Sequence, residues 1–235
     1  MFLNGKKNNE KMDQLFKERL FIGDKTKEIK TLIFDFGGVL IDLNKERSIQ
    51  AFAELGIEKV KDLLNNWCQK GIFLLFEEGK ISSHEFLNNI HRMTEKELSD
   101  EDIKQAFFTF LVDLPRYKLN LINKLRKHYN IFLLSNINEM IFQYCCDTFF
   151  HAYGIDIDDY FDKLYLSFQM KVCKPDKKIF EIMIADSGLQ PEECLFLEDG
   201  LQNIETAQSL GFNTYFVKPE EDFTPLFNHP LLKHN

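Results

Sequence analysis

Asp35 lies inside the run "TLIFDF" (31–36), which is otherwise apolar. A lone carboxylate in such a segment is costly to bury unless it is paired or binds a metal. It therefore reads either as a reactive group or as a structural aspartate capping the turn that Gly37 and Gly38 begin. Later runs break the tie. Ser135 and Asn136 follow "IFLL", Lys174 opens the helix after a third run, and Glu198 and Asp199 follow "CLFL". A carboxylate nucleophile, polar groups for phosphate oxygens, a cation and an acidic metal clamp are the parts of a phosphoryl-transfer site.

These side chains meet only if their runs are parallel strands sharing one edge of a sheet, where open α/β folds place their ligands. Five runs have the near-continuous apolar character of strands covered on both faces: 31–36, "IFLLSN" (131–136), "LYLSF" (164–168), "CLFLED" (194–199) and "TYFV" (214–217). Helical patterns separate them. "PDKKIFEIMIADSGL" opens at Pro175 and closes at Gly188, and "NIETAQSLGF" ends at Gly211. The alternation predicts an α/β fold with a doubly wound, Rossmann-like parallel sheet. Between residues 45 and 112 the pattern turns helical, in "SIQAFAELGI", "VKDLLNNWCQKGIFLLF" and "SSHEFLNNIHRM". We read a small all-helical cap (45–112) inserted after the first strand of a core formed by 31–44 and 113–235. Residues 1–30 read as a polar extension, disordered or helical, with no catalytic role.

Composition narrows the class. A formal net charge of -8 and no basic stripe argue against nucleic acid as a partner. No apolar run reaches membrane-spanning length. Five cysteines without CxxC spacing indicate neither a zinc site nor a disulfide framework, and a reducing cytoplasm is the expected location. The 24 phenylalanines are read as core filling, as are Trp67 and the cap aromatics. His84 and His91 lack a third ligand for a metal site.

In order, "FDFGGVL", "LLSN", Lys174 of "CKPD" and "LEDGLQNI" resemble the four motifs of the haloacid dehalogenase superfamily, across most of the chain after residue 30. The resemblance implies that Asp35 attacks phosphorus to form an aspartyl-phosphate. Ser135, Asn136 and Lys174 would bind the phosphate, and Mg2+ would be held by Asp35, the Gly37 backbone carbonyl and Asp199, with Glu198 a direct or water-mediated ligand. Asn203 would support the last loop. Most phosphatases of the superfamily carry a second aspartate two residues after the nucleophile, to protonate the leaving alcohol and activate water. Gly37 stands there instead, as it does in a branch resembling α-glucose-1-phosphatase.

Asp42, just after the turn, is the first candidate to replace that acid, although it reads equally as a helix cap. Glu77 or Glu78 of the cap comes second. With Lys80, these two flank Gly79 in a turn that could reach a sugar hydroxyl, or they are solvated charges. The expected activity is Mg2+-dependent hydrolysis of a small phosphorylated metabolite, a sugar phosphate first. A phosphosugar mutase, a metal-independent 2-haloacid dehalogenase and a catalytically weak phospho-ligand-binding regulator are the alternatives.

Overall fold

Side chains of successive strand residues point to opposite faces, so a strand that is apolar at every position must be covered twice. β2 (Thr31–Phe34) is buried at all four positions. Its Leu32 and Phe34 join one apolar cluster and Ile33 another on the opposite face. The computed structural model describes residues 19–57 and 71–232, so the readings of residues 1–18, of Trp67 and Cys68, and of all of "VKDLLNNWCQK" fall outside it.

β2 lies at the middle of a six-stranded sheet with β1 (Leu20–Phe21), β5 (Asn130–Ser135), β6 (Lys163–Leu166), β7 (Cys194–Glu198) and β8 (Asn213–Phe216). The order is β1-β8-β7-β2-β5-β6, and every pairing is parallel except that of β1 with β8. Helix α5 (Arg116–Leu125) covers one face through Leu119, Ile122 and Leu125, whereas α8 (Lys177–Ser187) and α9 (Leu201–Ser209) cover the other through Ile179, Phe180, Met183 and Ala207. The sheet is doubly wound, as expected, and the strands match the sequence reading to within one or two residues. "LYLSF" stops early: β6 ends at Leu166, and Ser167 starts the short helix α7 (Ser167–Met170).

Among the described residues the cap contributes four helices: α1 (Lys45–Glu54), α2 (Ile72–Glu77), α3 (Ser83–His91) and α4 (Asp100–Phe108). Ser82 and Ser99 close capping boxes at the starts of α3 and α4. Phenylalanines fill the space between these helices, with Phe76 and Phe86 stacked at 4.5 Å and Phe73 edge-on to Phe86 at 5.1 Å. Each such ring contributes about 1.5–3 kcal/mol by leaving water. The same apolar cluster runs on to Phe34 and Leu133, so cap and sheet share one core. Among the described residues no helix is long and apolar enough to cross a membrane, and four cysteines are buried and free.

Two boundaries need correction. Residues 111 and 112, placed at the end of an all-helical block, form a strand with Asp113, β4 (Leu111–Asp113), antiparallel to β3 (Asp42–Leu43). This ribbon occupies the junction of cap and core, where two chain crossings satisfy each other's backbone groups. The stretch read as a disordered or helical extension contains β1, an added edge strand. It is tied down by an Arg19–Glu221 ion pair, by Arg19 stacking 5.2 Å over the Tyr215 ring and by the burial of Ile29.

Candidate active site

The register of the sheet brings the polar strand ends together. Phe34 of β2 pairs with Leu133 of β5 and with Leu197 of β7, so Asp35, Ser135 and Glu198 reach the same edge. They meet in a cavity of about 330 Å3 that Lys174, Asn136 and Asp199 also line. The cap closes it with Phe73, Phe107 and Glu77, and the β3/β4 ribbon with Leu43 and Leu111.

Lys174 is the electrostatic centre. It is 1% exposed, and its Nζ lies 2.9 Å from Asp35 Oδ1 and 2.7 Å from Glu198 Oε2, while donating to the Leu134 carbonyl at 2.9 Å. Burial opposes its charge, but the two carboxylates outweigh that and hold the ammonium above its ordinary range. Asn136 fixes the lysine's backbone: its Nδ2 donates to the Lys174 carbonyl at 2.8 Å, and its Oδ1 accepts from the Lys174 N–H at 2.7 Å. That commitment corrects the expectation for the Asn136 side chain, which holds the lysine segment and not a ligand. Ser135 is buried at the end of β5 and lines the cavity.

Asp35, Glu198 and Asp199 each present an oxygen within 4.8 Å of the others. Burial raises Asp35 well above the ordinary carboxylate range, and Glu198 adds to the rise against the pull of Lys174. Asp199 is exposed as a residue, yet desolvation and the Glu198 charge push it up to about 7. Burial works to raise Glu198 too, but Lys174, the Gly200 N–H and the Asp199 side chain hold it low. One lysine among three acids leaves the cluster negative, and hard oxygens converging with excess charge fit a magnesium-type ion. Glu198 is correspondingly less available than expected, since one of its oxygens faces Lys174 and the other accepts the N–H groups of Asp199 and Gly200.

Two glycines shape this floor differently. A side chain at Gly37 would start 3.0 Å from a Leu43 methyl, so β3 fills the space next to the strand that carries Asp35 with hydrocarbon. Gly38 has φ +77°, and a Cβ there would overlap the Asp199 carboxylate.

The other candidates separate. Asp42 lies outside the cavity lining, on β3, with its Oδ1 2.7 Å from Nζ of Lys118, which is 2% exposed. The structure thus corrects the expectation that Asp42 reaches the site: a buried ammonium holds it elsewhere. Asp42→Asn is expected to cost about 1–3 kcal/mol in urea unfolding, because it leaves a buried charge without its partner. The upper part of that range is discounted for the quarter exposure of Asp42. Glu78 and Lys80 pair with each other at 2.8 Å and do not line the cavity; the Lys80 side chain is half exposed, whereas that of Glu78 is largely buried. Glu77 does line it. Asn203 packs over Gly200 at the rim. His91 bonds Asp100 at 2.8 Å, whereas His84 faces Asn88.

Sequence reasoning missed Lys45, Ser167 and the apolar wall of Phe73, Phe107 and Phe110. No local pattern marks them, because Lys45 and the phenylalanines reach the cavity, and Ser167 reaches the Glu77 carbonyl, only when cap and core segments distant in sequence pack together.

A family model for haloacid dehalogenase-like hydrolases matches residues 29–211. The chain is 41% identical over 187 residues to a D-ribitol-5-phosphate phosphatase of Bacteroides thetaiotaomicron, covering 80% of this chain and 91% of that protein. A haloacid dehalogenase family enzyme from the same organism, solved in complex with magnesium and inorganic phosphate, superposes with a TM-score of 0.80 at 41% identity, covering 85% of this chain and 99% of that one. A haloacid dehalogenase-like hydrolase from Porphyromonas gingivalis gives 0.81 at 38% identity, covering 88% and 99%. The chain belongs to the haloacid dehalogenase-like hydrolase family.

Proposed function

We propose that this enzyme is a magnesium-dependent phosphatase that hydrolyses a small phosphorylated metabolite of the sugar or polyol class through an aspartyl-phosphate on Asp35. The observation that carries the reading is the placement of Asp35: a buried carboxylate at the floor of a cavity, 2.9 Å from a buried lysine and beside two further acids. The D-ribitol-5-phosphate phosphatase among its relatives supports a polyol phosphate as substrate.

Asp35 attacks phosphorus in line, the phosphorus–oxygen bond to the substrate breaks, and the alcohol departs. Water then attacks the aspartyl-phosphate and releases inorganic phosphate. Lys174 offsets the repulsion between the anionic nucleophile and the anionic phosphate, and Ser135 hydrogen-bonds a phosphate oxygen. Magnesium would be held by Asp35, Asp199 and the Gly37 carbonyl, and it supplies charge neutralisation on the transferring phosphoryl group. Glu198 acts through Lys174 and the loop it braces.

The test is hydrolysis of p-nitrophenyl phosphate with magnesium and with chelator, followed by a panel of pentitol and pentose phosphates. Magnesium-dependent release that is fastest on one panel member supports the reading. Release of chloride from a 2-chloroacid without added metal, and no phosphate release, would replace it with the dehalogenase reading. Two substitutions sharpen the test. Gly38→Ala, which displaces Asp199, is expected to raise the magnesium needed for half-maximal rate about tenfold or more, with about 1 kcal/mol of strain from the left-handed backbone. Asp42→Asn is expected to leave the pH profile of turnover unchanged.

A further inference from the structure

An alkyl alkoxide is a poor leaving group, so hydrolysis of a sugar or polyol phosphate needs a proton donor at the bridging oxygen, and the second step needs a base for water. Gly37 has no side chain to do this, and Leu43 fills the space beside it. Among the described residues, the carboxylates lining the cavity are Asp35, Glu77, Glu198 and Asp199. Asp35 attacks, Glu198 is saturated by Lys174 and two N–H groups, and Asp199 faces the metal position. Glu77 is left.

Glu77 ends helix α2, and the turn after it is fastened to the core. Ser167, fully buried, donates its hydroxyl to the Glu77 carbonyl at 2.7 Å while accepting from the Ile137 N–H at 2.9 Å. Lys171 donates to the Gly79 carbonyl at 2.7 Å. Gly79 has φ +58°, and any side chain there would overlap the Phe168 carbonyl, so the turn sits as close to α7 as backbone allows. Nothing about stability requires a carboxylate to be held in the lining of this cavity, where desolvation makes its charge costly.

We infer that Glu77 is the catalytic acid and base of this enzyme, taking the role for which Gly37 has no side chain. The assignment rests on the phosphatase reading. As Asp35 bonds to phosphorus and the ester bond breaks, the Glu77 carboxylic acid gives its proton to the departing oxygen. The resulting carboxylate then takes a proton from the water whose oxygen attacks phosphorus, the aspartyl bond breaks, and Glu77 is again protonated. The charged and titratable groups around Glu77 are compatible with both roles. Burial raises it to about 7, Lys174 opposes the rise and Glu78 adds to it, while the Cys173 thiol is pushed up to about 12 and stays neutral. Because the first step needs the acid form, kcat/KM on an alkyl phosphate should fall as pH rises through this region.

The experiment compares wild type with Glu77→Gln on p-nitrophenyl phosphate, whose leaving group needs no proton, and on the best alkyl phosphate of the panel. The variant is expected to release p-nitrophenolate in a burst of about one equivalent and then turn over slowly, because phosphorylation survives and hydrolysis of the aspartyl-phosphate does not. On the alkyl phosphate it should lose about 10²- to 10⁴-fold in kcat/KM together with the alkaline limb of the profile. Unchanged alkyl turnover and pH profile in Glu77→Gln, or loss of the burst along with turnover, overturns the assignment while the phosphatase reading stands. No magnesium-dependent release by the wild type overturns both.

Discussion

Asp35→Asn is expected to lower magnesium-dependent turnover of any phosphate ester by roughly 10⁴-fold or more, because in the proposed mechanism the amide cannot form the acyl-phosphate through which both steps pass. Its stability should move the other way. Asn can still accept the Phe36 N–H that Asp35 Oδ1 receives at 2.7 Å, and Lys174 keeps its 2.7 Å contact to Glu198. What is lost is the cost of an ionised carboxylate beside two others in a buried site. The folded-state pKa of Asp35 lies above its ordinary value of 3.8, so wild type carries that cost progressively as pH rises past the ordinary value and not below it. In chelator, thermal unfolding of the variant should match wild type at low pH and rise above it toward pH 7. Added magnesium should close the gap by stabilising wild type more. A variant that is inactive and also less stable at neutral pH would mean that Asp35 serves the fold.

Asp35, Ser135, Lys174 and the acidic pair were legible in the sequence because each ends an apolar run, and parallel strands in a doubly wound sheet must align those ends. Asp42 was misjudged for a reason no local pattern reveals. Its partner Lys118 is 76 positions away, and the pairing of β3 with β4 sets which way it faces. Asn136 and Glu198 were read from the sequence as residues of this strand edge, but their commitments to the Lys174 backbone and ammonium appear only in the folded arrangement. Glu77 was one of several acids flanking a glycine. The Ser167 hydroxyl, in a segment read as the end of a strand, is among the ties that separate it from Glu78. The cap phenylalanines were identified as core in the sequence, whereas the part played by Phe73 and Phe107 as cavity wall depends on how the cap helices close over the sheet.

The apolar wall also bears on how a small hydrophilic substrate is handled. The side chains of Phe73, Phe107, Leu43 and Leu111 offer the proposed polyol phosphate no hydrogen bonds, so on that reading recognition concentrates on the floor around Lys174 and the few polar groups facing it. Such a wall excludes water from the reacting centre, which strengthens each charge interaction there. It makes the buried lysine the pivot of both stability and rate.

Lys174→Met is accordingly expected to cost about 3–5 kcal/mol in urea unfolding at pH 7, the range for removing one partner of a buried ion pair, and to abolish turnover. Methionine fills much of the same volume, so the loss is electrostatic: Asp35 and Glu198 are left 8% and 0% exposed without a counter-charge. The Leu134 carbonyl loses its donor as well. Adding Glu198→Gln should recover a large part of the stability, because the glutamine carbonyl can still accept the Gly200 N–H and the larger like-charge repulsion on Asp35, that from Glu198, is removed while that from Asp199 remains. Turnover should stay absent in the double variant. The penalty of the single variant should also shrink as pH falls and the two acids protonate. Equal costs for the single and double variants, or a cost independent of pH, would assign Lys174 a packing role. Strong coupling would show that one buried cation lets this strand edge hold its acids ready for phosphate.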